Sequence, residues 1–255
     1  MRYKLVLAYL GTNYHGWQVQ LGPPGQTIQG CLEEVFLRLT SHKVAVIASG
    51  RTDAGVHALA QVCHVDLAEP MKLNNLARSL NALLPEDIRV LKAEPCAENF
   101  HARYSALSKT YLYRFWPEMN FLPPQLAPYV WQIGPLNQAA MQKALPYLQG
   151  THDFASFQNK GTAVTSTVRT IFELSLSEEE PNPYWPPYTP SLVLKVTASG
   201  FLKQMVRNLA GLLALLGRGQ LEVSKVQDII KQAQRKHNPC PTAPAKGLTL
   251  ALVNY

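Results

Sequence analysis

Long apolar runs are missing from this chain of 255 residues. The longest, 209–217, covers about nine residues, less than half of the roughly 20 that a membrane-crossing helix requires. The opening stretch MRYKLVLAYLGTNYHGW carries no cleavable apolar leader. A soluble, cytoplasmic protein with no membrane partner is expected. Charge is sparse too: charged residues make up 16% against 47% hydrophobic, a balance that sustains a packed core and excludes disorder as the main state. The cysteines Cys31, Cys63, Cys96 and Cys240 form no C-x-x-C pair, so neither a zinc ribbon nor a redox dithiol is expected. The histidines, His57 and His64 among them, share no metal-ligand spacing with acidic partners, and no metal site is expected. A glycine-rich phosphate loop of the G-x-G-x-x-G or G-K-S/T kind is also absent, which weighs against an enzyme of phosphorylated metabolites.

What the chain does have is unevenly placed positive charge. Its 24 basic and 17 acidic residues leave a net +7, and the stretch 181–255, with nine Lys or Arg against Glu222 and Asp228, accounts for all of it. A basic surface of this kind attracts polyanions. Nucleic acid is the commonest such partner, although a phosphorylated metabolite or an anionic membrane would answer the same charge.

Hydrophobic periodicity sets out the elements. Tyr3, Leu5, Leu7 and Tyr9 alternate as on a strand, and Ile28, Cys31, Leu32, Val35, Phe36 and Leu39 recur at helical spacing behind Thr27 as N-cap. Strands are predicted at 44–47 and 60–67, a helix from about Asn74 that Pro85 closes, and a strand at 88–93. The order is β-α-β-β-α-β. A similar order follows: strand 110–116, helix 137–148, strands 166–176 and 192–198, a helix from about Leu202 to Leu216, a helix 226–234 and a last strand 248–253. The reading is α+β: two pseudo-symmetric βαββαβ-like halves, 1–105 and 106–255, with mainly antiparallel sheets backed by helices. The segment PNPYWPPYTP at 181–190 reads as an extended, protruding loop.

Three stretches carry possible chemistry. Ala48 to Ala58, ASGRTDAGVHA, places a polar loop between two strands where a short hairpin would suffice. Turn chemistry alone accounts for Gly50, Thr52, Asp53 and Gly55; the sharper reading makes Asp53 a nucleophile or base, with Arg51 meeting a phosphate or keeping the carboxylate ionised. Tyr111, Tyr113 and Phe115 share one strand face, either as core aromatics or with one ring presented to a nucleobase. Lys203 and Arg207, four apart at a helix start, are solvated charges or a pair that meets an anion.

The GRTDAGVH motif at 50–57 resembles the active-site motif of the tRNA pseudouridine synthase A family. Gly16-Trp17-Gln18, Asn99 to Arg103, Lys109-Thr110-Tyr111, Gly150 to Phe157, Phe201 to Asn208 and Ala245 to Leu248 resemble other pieces of it, in the same order along nearly the whole chain. The resemblance implies isomerisation of uridine to pseudouridine at positions 38 to 40 in the anticodon arm of tRNA, with no metal or organic cofactor. It further implies a homodimer whose two subunits form a basic cleft for one tRNA arm. Asp53 matches the catalytic aspartate, Tyr111 the active-site tyrosine, and Arg51 and Arg207 the active-site arginines, with Arg207 paired to Asp53. Lys203 and His57 join Arg51 and Tyr111 as substrate-binding positions. One residue departs from the pattern: Leu10 stands where the family usually has Asp in Tyr-Asp-Gly. A non-catalytic pair of RRM-like units would suit the element order and the charge, but the RRM aromatic signature is absent.

Overall fold

In the computed structural model, the described residues are 1–19, 27–68, 73–161, 164–180 and 190–255, so most of the proline-rich segment at 181–190 lies outside them. The chain divides into two compact units, Met1–Leu107 with Thr249–Tyr255, and Ser108–Leu248.

The first unit contains β1 (Arg2–Tyr9), α1 (Ile28–Thr40), β2 (Ile47–Ala48), β3 (His57–Asp66), α2 (Leu73–Leu83) and β4 (Ile88–Pro95). Alternate residues of β1 are buried, with Leu5 and Leu7 fully so, which is the burial that period-two apolar spacing dictates. Truncating either leucine to alanine would cost roughly 3 kcal/mol through lost contacts and an unfilled cavity. β1 lies between β3 and β4, antiparallel to both, with Leu5 opposite Cys63 on one side and Ala93 on the other. The pairing of β1 with β3 slips between Leu7 and Tyr9, so β1 ends on an irregularity just before the loop it feeds. Helix α1 starts where the capping rule puts it: Thr27 Oγ1 accepts the Gly30 N–H at 3.1 Å. Its apolar face, Ile28, Cys31, Leu32, Val35 and Phe36, is buried.

Two expectations for this unit change. The apolar run at 44–47 pairs as a strand only at Ile47 and Ala48. The Val46 N–H instead donates to Glu33 Oε1 of α1 at 3.1 Å, so the side chains of Val44 and Val46 are buried without a ladder. The closing strand β10 (Leu248–Asn254), read as the end of the second half, runs parallel to β3, with Thr249 opposite His57, and residues from Thr249 onward belong to the first unit.

The second unit contains β5 (Ser108–Trp116), β6 (Trp131–Gln132), α3 (Gln138–Leu148), β7 (Gly150–Asp153), β8 (Val168–Glu178), β9 (Leu192–Ala198), α4 (Met205–Gly217) and α5 (Lys225–Gln232). Strands β5, β9, β8 and β7 are neighbours in that order and antiparallel, while the short β6 adds to β5 in parallel. Helix α4 is buried around most of its circumference, as its nearly unbroken apolar composition requires. The fold is α+β, with mostly antiparallel strands backed by helices. Among the described residues, no helix is long and apolar enough to cross a membrane.

Candidate active site

The polar loop at 49–56 is braced from both flanks within the first unit. Tyr9, at the end of β1, sets its hydroxyl 2.9 Å from Thr52 Oγ1, and burial pushes that phenol up to about 12, so it stays protonated. Gln61 of β3 accepts the Ser49 hydroxyl at 2.7 Å and donates to the Gly50 carbonyl at 2.9 Å, tying the entry of the loop to the sheet. At the exit, the Val56 N–H bonds the Asp53 carbonyl at 3.1 Å, and Gly55 holds the positive φ of +78° that a type II turn demands of its third residue. Asp53 is half-buried as the first residue of this turn and Arg51 is exposed.

A second loop, 10–17, clamps the first. The Trp17 N–H donates to the Thr52 carbonyl at 3.0 Å, and the Gly11 N–H to His57 Nδ1 at 3.0 Å. Both glycines are required by space: a Cβ on Gly11 would sit 2.0 Å from the Val56 carbonyl oxygen, and one on Gly16, at φ +95°, 2.7 Å from that of Thr52. The missing carboxylate at position 10 leaves this loop fixed nonetheless. Leu10 is exposed, its N–H bonds the Asp87 carbonyl at 2.9 Å, and the Asp87 carboxylate takes the Tyr14 hydroxyl. His57, expected to bind substrate, is 2% exposed with its Nδ1 engaged by Gly11, so the ring serves as a strut between the two loops.

In the second unit Tyr111, Tyr113 and Phe115 share a face of β5, as alternation requires. Tyr113 and Phe115 are fully buried; the Tyr113 hydroxyl donates to the Pro244 carbonyl at 2.9 Å, and burial holds its phenol far above the usual range. The core reading applies to these two. Tyr111, at 8% exposure, is the least covered of the three and meets Phe201 edge-on, with ring centroids 5.0 Å apart.

Arg207 lies in the first turn of α4, half-buried, its Nε donating to the Ala243 carbonyl at 2.7 Å while the Ala243 N–H returns to the Arg207 carbonyl at 3.2 Å. A cation at this end opposes the helix dipole at a cost of about 0.3–1 kcal/mol, so helix stability does not explain it. Lys203 does not share a helix face with it. Gln204 adopts a left-handed conformation, φ 60° and ψ 14°, and α4 begins only at Met205. Lys203 is exposed in the preceding turn and donates to the Lys160 carbonyl at 3.0 Å.

Behind Arg207 lies a polar cluster that sequence reasoning missed. Asn208 donates to the Phe157 carbonyl at 2.7 Å and to Asn159 Oδ1 at 3.0 Å, and accepts the Thr242 hydroxyl at 2.7 Å. Asn159 bonds the Gln204 side chain, and Arg235 donates to Asn159, Asn238 and Cys240 at 2.7–3.0 Å. Helix α4 and the 235–243 segment are thereby locked, with Gly211 so close to the Pro241 carbonyl oxygen that a Cβ would come within 1.9 Å. The only prior signal was the place of Asn208 and Gly150 to Phe157 in the resemblance. Among the described residues, no group of three or more His, Cys, Asp or Glu side chains could hold a metal ion.

The family model described as tRNA pseudouridine synthase matches residues 5–105 and 144–255. A tRNA pseudouridine synthase A of Maridesulfovibrio salexigens is 46% identical over 258 residues, covering 100% of this chain and 90% of that protein. The proteins of the same name from Nitratidesulfovibrio vulgaris strain Hildenborough and Lawsonia intracellularis are 43% and 45% identical, again across 100% of this chain and 96% and 99% of theirs. With both the braced GRTDAGVH loop and this full-length similarity in place, the chain belongs to the tRNA pseudouridine synthase family, whose members are isomerases.

Proposed function

We propose that this enzyme isomerises uridine to pseudouridine at positions 38 to 40 in the anticodon arm of tRNA, with Asp53 as the catalytic group. The observation that carries the proposal is a half-buried carboxylate on the first residue of a turn whose two flanks and backbone are hydrogen-bonded or sterically clamped. Such a group keeps its position while a substrate moves past it. The reaction breaks the C1′–N1 bond, rotates the uracil in place and joins C5 to C1′, after which C5 gives up its proton and the freed N1 takes one up. Atoms are conserved, so no second carboxylate is needed to activate water. Asp53 adds to C1′ or takes a proton from the sugar during cleavage.

Tyr111 offers its ring to the uracil and its hydroxyl to the C5 proton. Arg207, its Nε held by the Ala243 carbonyl, serves as an active-site cation. Arg51 holds the target base out of its stack, since chemistry on a base in a helix requires that it be flipped. Lys203 contributes to a basic cleft that grips the RNA backbone, while His57 acts indirectly by setting the loop. The enzyme works as a cytoplasmic homodimer. Incubation of the protein with an unmodified tRNA transcript, followed by carbodiimide labelling and primer extension, tests the assignment: stops one nucleotide 3′ of position 38, 39 or 40 are expected, and stops confined to other arms of the tRNA would refute it.

A further inference from the structure

The turn at 100–105 in the first unit is built more firmly than a surface connection needs, yet it presents a large aromatic ring to solvent. His101 Nδ1 accepts the backbone N–H groups of both Arg103 and Tyr104, at 3.1 and 3.2 Å. The His101 N–H and carbonyl bond the Ser105 hydroxyl and N–H at 3.0 and 2.9 Å. From below, the Ala102 N–H donates to the buried His64 Nδ1 at 3.1 Å and the Ala102 carbonyl accepts the Tyr255 hydroxyl at 2.7 Å. On this base stands Tyr104, 77% exposed, its ring centroid 4.3 Å from that of His101 and tilted by 34°. The Arg103 guanidinium lies 5.6 Å from the same ring.

We propose that Tyr104, seated on His101 and flanked by Arg103, is a stacking seat for one unpaired base of the RNA substrate. The proposal rests on the tRNA reading above and adds a recognition site apart from the reacting uridine. An exposed ring with a locked backbone loses little freedom when a base settles on it, and the outer face of the ring is open. The neighbouring guanidinium supplies charge for the adjoining phosphate or a second flat surface. Local charge selects the occupant: Arg103 beside the ring, and Lys4 over the neighbouring Phe100 and Tyr255 rings, favour a polyanion over a second copy of the same chain.

The test measures affinity for a full-length tRNA transcript at fixed salt alongside turnover at saturating RNA. Tyr104→Ala should weaken binding about ten-fold, whereas Tyr104→Trp, which keeps a flat ring, should stay within about two-fold of wild type. Saturated turnover should be unchanged in both. Arg103→Gln should reduce the salt slope of binding by about one. Unchanged affinity in Tyr104→Ala, with wild type turning over tRNA normally, would overturn the seat and leave the catalytic assignment standing. Conversion of a dimer to a monomer by Tyr104→Ala in sedimentation would also overturn it, marking the patch as an interface between copies. Tyr104-dependent tRNA binding by a wild type that isomerises no uridine would support the seat and refute the catalytic reading.

Discussion

If the 10–17 loop sets the position of Asp53, the most informative single methyl group is the one added by Gly11→Ala. Its Cβ would lie 2.0 Å from the Val56 carbonyl oxygen, where ordinary contact starts at 3.4 Å, so loop and turn must separate by about 1.4 Å. The carbonyl belongs to backbone within the turn that carries Asp53, so no flexible side chain can absorb the shift. Overpacking of this kind costs about 1–3 kcal/mol of stability. A displacement near 1 Å at a reacting group costs roughly 100-fold in rate, or about 2.7 kcal/mol of transition-state stabilisation. The variant should therefore fold, with a thermal midpoint lower by roughly 2 to 12 °C, and lose about two orders of magnitude in kcat/KM for uridine isomerisation. Gly219→Ala serves as the reference. Gly219 has φ +68° with no atom within 4 Å of an added Cβ, so the change strains the backbone by about 1 kcal/mol and leaves turnover intact. Gly11→Ala turning over tRNA within three-fold of wild type would refute the idea that this clamp positions Asp53.

Three further outcomes follow from the same geometry. Asn208→Ala strands the buried groups of Phe157, Asn159 and Thr242, so it should cost roughly 3 kcal/mol of stability and lower kcat more than it raises KM, because Arg207 is the adjacent residue; an unchanged melting curve would contradict the network. His64 is held below its ordinary value of 6.5, chiefly by burial and then by Arg2 and His101. Its neutral form is the folded one, so stability is complete above about pH 6.5 and falls as pH drops below that value while the unfolded chain takes up the proton. The thermal midpoint of wild type should fall between pH 7.5 and 5.5 by more than that of His64→Gln, and parallel curves would refute the assignment. Tyr111→Phe should bind tRNA as wild type does but release the C5 proton more slowly; equal product formation would reduce the tyrosine to a stacking surface.

Periodicity was a sound guide wherever one face of an element is buried. β1, α1 and α3 begin and end close to their apolar patterns, and Thr27 caps α1 as its side chain suggests. It failed where distant groups decide the backbone. Nothing local marks Gln204 as left-handed; its side chain is bonded to Asn159, forty-five residues earlier, and that contact delays α4 by a turn and separates Lys203 from Arg207. Val46 gives its N–H to Glu33 instead of a strand, and β10 pairs with β3 across most of the chain. The site divides in the same way. Asp53 and Arg51 were legible as an unusual loop, and Tyr111 as one of three rings on a strand. The residues that hold the Asp53 loop, Tyr9, Gly11 and Gln61, and those that lock α4 beside Arg207, Asn159 and Asn208, act through hydrogen bonds and close contacts that no spacing encodes. His57 shows the limit of a motif: it is part of the signature, but its burial makes it a support.

The central claim, that Asp53 performs a cofactor-free uridine isomerisation, is met most directly by tritium release from C5 of uridine in an unmodified tRNA transcript, measured for wild type and Asp53→Asn side by side without added metal. Release by wild type alone, with tRNA affinity of the variant within a few-fold of wild type, is the expected result. Equal release by Asp53→Asn would remove Asp53 from the mechanism, and absence of release by wild type under conditions where it binds tRNA tightly would contradict the activity itself.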